Sequence, residues 1–156
     1  MIIIVSGTPG TGKTALSKKL AKKLDYKYID VAELIKEKKL REYYDRKRKT
    51  YAVDVKKLNK ELIKIIKDSK DLVIDSHLSH YLPKKYVDFC IITKCNLKIL
   101  EKRLKKKGYN KSKIRENLDC EIFDICLNEA KEAGHKILIV DTSKDINIDK
   151  IADKIR

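Results

Sequence analysis

The stretch Gly7-Thr8-Pro9-Gly10-Thr11-Gly12-Lys13-Thr14 constrains this chain most, gathering three of its five glycines and one of its two prolines into eight residues. It follows an apolar run, Met1-Ile2-Ile3-Ile4-Val5, that reads as a buried parallel strand, and precedes a segment of helical periodicity. The spacing is G-x-x-x-x-G-K-[ST] in the order strand, loop, helix, the pattern of a loop that cradles polyphosphate. Such a ligand needs several N–H donors converging on one point, so the backbone must approach closely, and glycine permits this. Lys13 supplies mobile positive charge to the β- and γ-phosphates, and Thr14 offers a hydroxyl to Mg2+. The first turn of the following helix turns its unpaired N–H groups toward the anion.

At 156 residues and 42% hydrophobic content, the chain suits one domain with a sizeable core and excludes global disorder. No apolar run approaches the roughly 18 residues of a membrane span, and the first residues already belong to the strand, so a cytoplasmic monomer without a targeting segment is expected. Cys90, Cys95, Cys120 and Cys126 are separated by four and five residues within each pair, which fits neither a C-x-x-C redox motif nor zinc knuckles; reduced, mostly packed thiols are expected. The formal charge is +15, of which residues 36–49 carry +5 and residues 94–115 carry +9. Two readings fit this concentration: a lysine-rich bias with solvated helix faces, and a surface that handles nucleotide phosphates or RNA.

Leu16, Leu20, Ala21 and Leu24 share one helical stripe, with Lys18, Lys19, Lys22 and Lys23 outside it. A short strand at Lys27-Tyr28-Ile29 follows, then a helix from Val31 to about Leu40 capped by Asp30. Residues 41–53 show no clear period and carry Tyr43, Tyr44 and Tyr51 among charges, so an irregular, ligand-shaped segment is expected. Asp54 caps a helix with Val55, Leu58, Leu62, Ile65 and Ile66 inward, and strands follow at Leu72–Asp75, Val87–Thr93 and Lys136–Val140. Leu97, Leu100 and Leu104 mark a helix that Gly108 ends, and a single long helix is expected from Asn110 or Ser112 through Ala133. A final helix covers 148–155. The alternation of apolar runs and helices predicts an α/β fold with a parallel β-sheet and helices on both faces.

Asp75 ends a strand where a phosphate-loop protein places its second magnesium-directed carboxylate, and His77, two residues on in an extended chain, faces the same way. The histidine could orient a nucleophile or accept a proton; His80 and His135 read as surface or packing residues. Around Gly108 the basic residues Arg103, Lys105, Lys106, Lys107 and Arg115 predict a lid that closes over phosphate, and Arg41, Arg46 and Arg48 could meet a second nucleotide.

Over nearly its whole length the chain resembles the adenylate kinase isoenzyme six family, small P-loop NTPases of the nucleoside monophosphate kinase type. The resemblance rests on the glycine-rich loop, on Asp75-Ser76-His77 as a D-x-H motif, and on Arg103-Leu104 with Lys107-Gly108-Tyr109-Asn110 leading to Asn117 and Cys120-Glu121-Ile122-Phe123. It implies phosphate transfer from ATP to AMP or related monophosphates, with ATP hydrolysis, and a role in small ribosomal subunit maturation beside the platform protein uS11 and ribosomal RNA. By the same resemblance Gly10, Thr11, Gly12, Lys13, Thr14 and Ala15 contact ATP together with Arg103 and Lys107 of the lid. The monophosphate segment falls at about 30–53 and the lid at about 106–116. Lys107 stands where the family usually has arginine, and Arg46-Lys47-Arg48-Lys49 where acidic residues are common. An assembly ATPase with water as acceptor, and a nucleotide-gated binding protein with little turnover, share the same site and remain alternatives to the kinase.

Overall fold

The computed structural model describes residues 1–47 and 50–156. The expectation for Arg48 therefore lies outside the described residues. Five parallel strands form the main sheet: β1 (Ile2–Gly7), β2 (Lys27–Asp30), β5 (Leu72–Asp75), β6 (Phe89–Lys94) and β7 (Ile137–Asp141), in the order β2-β5-β1-β6-β7. The β1 run is buried on both faces, as a central parallel strand requires. Its residues alternate between two cores. Ile2 and Ile4 pack with Leu58 and Leu62 of α3 (Val55–Lys67) and Leu127 and Ala130 of α6 (Ile125–Glu132). Ile3 and Val5 pack with Leu16, Leu20 and Ala21 of α1 (Lys13–Leu24) and Ile151 and Ile155 of α7 (Ile148–Ile155).

Asp30 and Asp54 cap their helices as expected. Asp30 accepts from the amides of Ala32 and Glu33 at the head of α2 (Val31–Glu37), and Asp54 does the same for Lys56 and Lys57 of α3. The second helix is shorter than its pattern suggested, because Lys39 takes a left-handed φ of 53° and turns Leu40 back to bond the Ile35 carbonyl.

Two expectations are corrected. Residues 41–45 and 50–53 are two paired strands rather than an irregular segment: β3 (Arg41–Asp45) runs antiparallel to β4 (Thr50–Val53), with Tyr44 opposite Tyr51, and the two are called the hairpin below. Its side chains are largely exposed on both faces, so no apolar alternation marks it in sequence; edge-to-face contact of Tyr44 with Tyr51 and the Arg41 guanidinium 4.2 Å over the Tyr51 ring hold it instead.

The long helix expected from Asn110 to Ala133 is two helices, α5 (Lys111–Ile122, capped by Asn110) and α6, separated at Phe123-Asp124 where Asp124 adopts φ 50°. Lys94 at the end of β6 explains the break. Its ammonium donates to the Glu121 carboxylate, the Glu121 carbonyl and the Asp124 carboxylate, drawing the chain inward at that point. Phe123, Ile122 and Ile125 consequently face solvent instead of completing an apolar stripe. The third apolar cluster, Cys95, Leu100, Leu104 and Ile114, joins α4 (Leu97–Lys106) to α5.

Glu121 is buried, and Lys94 is its charge partner. Lys94→Met keeps the stem and removes the charge, so urea unfolding should show a loss of about 2–3 kcal/mol, with part recovered in Lys94→Met/Glu121→Gln. Unchanged stability in the single variant would contradict the clamp.

Candidate functional site

The loop between β1 and α1 is shaped by contacts that exclude side chains. A Cβ on Gly7, whose φ is 146°, would sit 2.2 Å from Thr93 Oγ1, and Gly12 enters α1 with φ 80°. The loop's hydroxyls face inward and tie it to the sheet. Thr11 Oγ1 donates to the Thr8 carbonyl at 2.6 Å and lies 2.6 Å from Thr93 Oγ1, so its side chain points away from the cleft although the motif assigned it to nucleotide. Thr8 Oγ1 donates to Glu121 at 3.3 Å, and Thr142 Oγ1 donates to the Thr11 carbonyl at 2.6 Å. The buried polar groups thus satisfy one another, and the loop is braced from the ends of β6, β7 and α5.

Over this loop opens a cleft of about 790 Å³, lined by Gly10, Gly12, Lys13, Thr14, Ala15, Asp75, Ser76, His77, Arg103, Lys106, Lys107 and Tyr109, with Pro9, Asp30, Ala32 and Ile35. That volume suits a nucleotide-sized ligand. Apart from Thr11, the residues assigned in sequence to catalysis or to ATP border it; of those expected to meet a second nucleotide Arg41 lines a neighbouring cleft and Arg46 neither, and Lys105 and Arg115 of the expected lid stand outside both. Lys13 folds back, its ammonium 3.0 Å from the Gly7 carbonyl and 3.2 Å from that of Thr8. Burial lowers its pKa to about 8, against the pull of Asp75.

Asp75, opposite Val5 of β1 and Asp30 of β2, accepts from Thr14 Oγ1 at 2.7 Å and from the Tyr28 hydroxyl at 2.9 Å. Burial, then the Asp75 carboxylate, raises the Tyr28 phenol far above its ordinary value, keeping it a donor. Tyr28 went unnoticed in sequence, although it shares a strand face with Asp30 two residues on. A hydroxyl and a carboxylate converging beside the phosphate loop are hard oxygen donors of the kind magnesium takes.

His77 lines both this cleft and a neighbouring one of about 350 Å³. Its imidazole opens to the clefts yet is crowded by protein; burial, then repulsion from Lys13 and His80, holds it well below the usual range, to about 4. The ring is neutral at neutral pH and can accept a hydrogen bond. His80 is a buried structural residue, bridging Ser6 Oγ and Glu129 Oε2 at 2.7 Å each, and the His135 Nε2–H donates to the His80 carbonyl at 2.9 Å. The smaller cleft is walled by Arg41, Tyr43, Asp45, Thr50, Tyr51, Ala52 and Val53 of the hairpin, and it shares Ala32, Ile35 and His77 with the larger.

Arg103 reaches from α4 to the segment after β7, donating to the Thr142 carbonyl at 2.7 Å and the Thr142 hydroxyl at 3.3 Å. Lys106 and Lys107, at the end of α4, line the cleft, and Lys113 lies 4.2 Å over the Tyr109 ring just after the Gly108 turn. The base of this basic turn is fixed. A Cβ on Gly10 would lie 2.9 Å from Leu104 and 3.0 Å from Leu100, so α4 packs directly on the loop.

Residues 3–124 match the family described as an AAA domain. A protein of Methanocaldococcus jannaschii is 38% identical over 158 residues, spanning 100% of this chain and 86% of its own length. The adenylate kinase isoenzyme 6 homologue of Dictyostelium discoideum is 34% identical over 139 residues, covering 89% of this chain and 79% of its own. That of Saccharomyces cerevisiae is 34% identical over 155 residues, covering 99% and 78%. Among solved structures, the deoxyadenosine kinase of M. mycoides with bound dATP superposes with a TM-score of 0.65 at 20% identity, covering 99% of both chains. Shikimate kinase from Bacteroides thetaiotaomicron gives 0.57 at 16% identity, covering 99% of this chain and 96% of its own. These likenesses show the fold, a P-loop NTPase sheet.

Bound phosphate would raise the pKa of Lys13 above its free value of about 8. Below that pH the lysine is already charged and binding takes up no proton at this group; above it, binding must protonate the amine. ATP affinity should therefore fall as pH rises past about 8, with proton uptake visible by calorimetry in buffers of different ionisation enthalpy. Lys13→Arg should lose this dependence.

Proposed function

This chain belongs to the adenylate kinase isoenzyme 6 family, and from that premise we propose that it is an ATP-dependent nucleoside monophosphate kinase that also hydrolyses ATP. The observation that carries the reading is the pair of contiguous clefts with His77 on their common wall: one over the phosphate loop, one inside the hairpin. A phosphoryl donor in the first and a monophosphate in the second would face each other across that wall.

The division of labour follows from charge. The amides of the loop and of the first turn of α1 receive the β- and γ-phosphates, and Lys13 leaves its carbonyl partners for the phosphate oxygens. Thr14 and Asp75 would hold magnesium, with Tyr28 orienting the carboxylate. That ion, when bound, neutralises charge on the phosphate oxygens. Arg103, Lys106 and Lys107 supply the charge that meets the transferring phosphoryl group and exclude water from it. Lysine at 107 gives point charge without the planar fork of arginine, so contact with phosphate suits it better than stacking on a base. Arg41 and the tyrosines of the hairpin supply a cation and aromatic faces for the monophosphate.

Neutral His77 acts as a hydrogen-bond acceptor that orients the attacking oxygen, a monophosphate oxygen in one reaction and water in the other. Its low pKa makes it a weak base in the free protein, and the incoming phosphate charge raises it toward the useful range. Hydrolysis in the service of small-subunit maturation, with uS11 and ribosomal RNA as neighbours, extends the family reading; the +9 carried by residues 94–115 supports contact with an anionic partner.

Measuring ADP formation with and without AMP tests the kinase directly: AMP should accelerate it, and a rate indifferent to AMP would leave only an ATPase. Lys13→Ala should lower both activities by about 10²-fold or more. His77→Ala should reduce hydrolysis more than transfer, since water is positioned by less than a bound monophosphate; full retention of both would remove the histidine from the reaction.

A further inference from the structure

His80 is the deepest-buried of the three histidines, and the phosphate chemistry set out above does not use it. It sits in the short 3-10 turn Ser79–Tyr81, just beyond His77. Its Nδ1 lies 2.7 Å from Ser6 Oγ on β1 and its Nε2 lies 2.7 Å from Glu129 Oε2 on α6. An ionised carboxylate only accepts, so the ring hydrogen belongs on Nε2, and Nδ1 is left to accept from the Ser6 hydroxyl. Burial holds the His80 pKa below the usual histidine range, against the pull of Glu129, so the ring is neutral at neutral pH.

Among the described residues no hydrogen bond holds the His77 imidazole, which opens onto both clefts. Its place is therefore set by the backbone that carries it. That backbone is pinned to β1 at its start, where the Ser76 amide donates to the Val5 carbonyl at 3.1 Å, and at its end, where His80 meets Ser6. Between the pins the turn closes on itself: the Leu78 amide donates to Ser76 Oγ at 3.0 Å, and Ser79 Oγ donates to the Ser76 carbonyl at 2.8 Å. Val5 and Ser6 directly precede Gly7, where the phosphate loop begins, so the two pins fix His77 relative to that loop.

We propose that His80 is the positioning residue of His77: by bridging Ser6 to Glu129 it clamps the turn of residues 76–81 between β1 and α6 and holds the His77 imidazole where the two clefts meet. His80 itself lines neither cleft. Its two arms are unequal. Ser6 is fully buried, so without Nδ1 its hydroxyl loses its partner and cannot turn to water, whereas the Glu129 side chain is 31% exposed and can. Loss of the Ser6 arm is therefore what displaces the turn. The effect on rate rests on the reading of His77 given above.

Two amide variants separate the arms. Asparagine places its carboxamide near the position of Nδ1 and keeps an acceptor for Ser6; glutamine reaches toward the position of Nε2 and keeps a donor for Glu129. His80→Gln should lower kcat for ATP hydrolysis about tenfold with ATP affinity unchanged, and His80→Asn should recover most of that loss. Ser6→Ala, which removes the same arm from the other side, should reproduce the glutamine variant. In a His77→Ala background His80→Gln should cost nothing further, because both act through one imidazole. Ring NMR of the nucleotide-free protein reads the placement itself: the His77 resonances should move in His80→Gln relative to His80→Asn, both of which lack the His80 ring current. Resonances alike in the two variants, a loss of rate that persists in full beside His77→Ala, or a matching loss of ATP affinity would each overturn the proposal. If His77→Ala alone changed neither activity, the reading of His77 in the reaction would fall, while the resonances would still decide whether His80 places it.

Discussion

Strand β1 lies at the centre of a parallel sheet, with β5 on one side and β6 on the other, and this placement governs everything at the site. Because all three strands run the same way, their carboxyl ends reach one edge together: β1 releases the glycine loop, β5 presents Asp75, and β6 presents Thr93 and Lys94. The registers put Val5 opposite Asp75 and Gly7 opposite Thr93, so the loop is flanked by the carboxylate that approaches Thr14 and by the hydroxyl that fills the space a Cβ at Gly7 would need. Ligands of open α/β sheets bind outside the carboxyl ends of the strands, and here the sheet supplies that edge with complementary parts.

The loop is preorganised at some electrostatic cost. Lys13 is held close to two carbonyls and its charge is disfavoured by burial, while Asp75 is held by a hydroxyl and a phenol. An anion arriving with its metal would relieve both arrangements, giving Lys13 a stronger partner and Asp75 a cation to meet. Behind the loop, a second layer of polar contacts fixes the frame: Lys94 with Glu121 and Asp124, Glu121 with Thr8 and the Cys95 amide, and Thr142 with Arg103 and the Thr11 carbonyl. The break between α5 and α6 thereby links the basic turn around Gly108 to the floor of the nucleotide cleft.

Much of this was legible in the sequence because the determinants are local. The apolar runs gave the strands of the main sheet to within two residues, Asp30, Asp54 and Asn110 marked the starts of three helices, and the glycine spacing located the phosphate loop. What escaped notice depends on polar and aromatic contacts that leave no apolar period, several of them between residues distant in the chain. The hairpin is polar on both faces and is held by Tyr44, Tyr51 and Arg41 rather than by alternating apolar residues. The α5–α6 break comes from Lys94, 30 residues upstream of Asp124. Thr11 turns inward because Thr93 and the Thr8 carbonyl satisfy its hydroxyl, and Tyr28 reaches Asp75 only once β2 lies beside β5.

Two nucleotides meeting at His77 is the claim on which the account turns, and a bisubstrate compound of two adenosines joined by a polyphosphate measures it most directly. Calorimetric titration should give one compound per chain, bound more tightly than ATP, with the advantage reduced when Arg41 of the hairpin is replaced by alanine. Affinity equal to that of ATP and indifferent to the hairpin would contradict a second nucleotide site, and no binding at about millimolar concentration would remove the first as well.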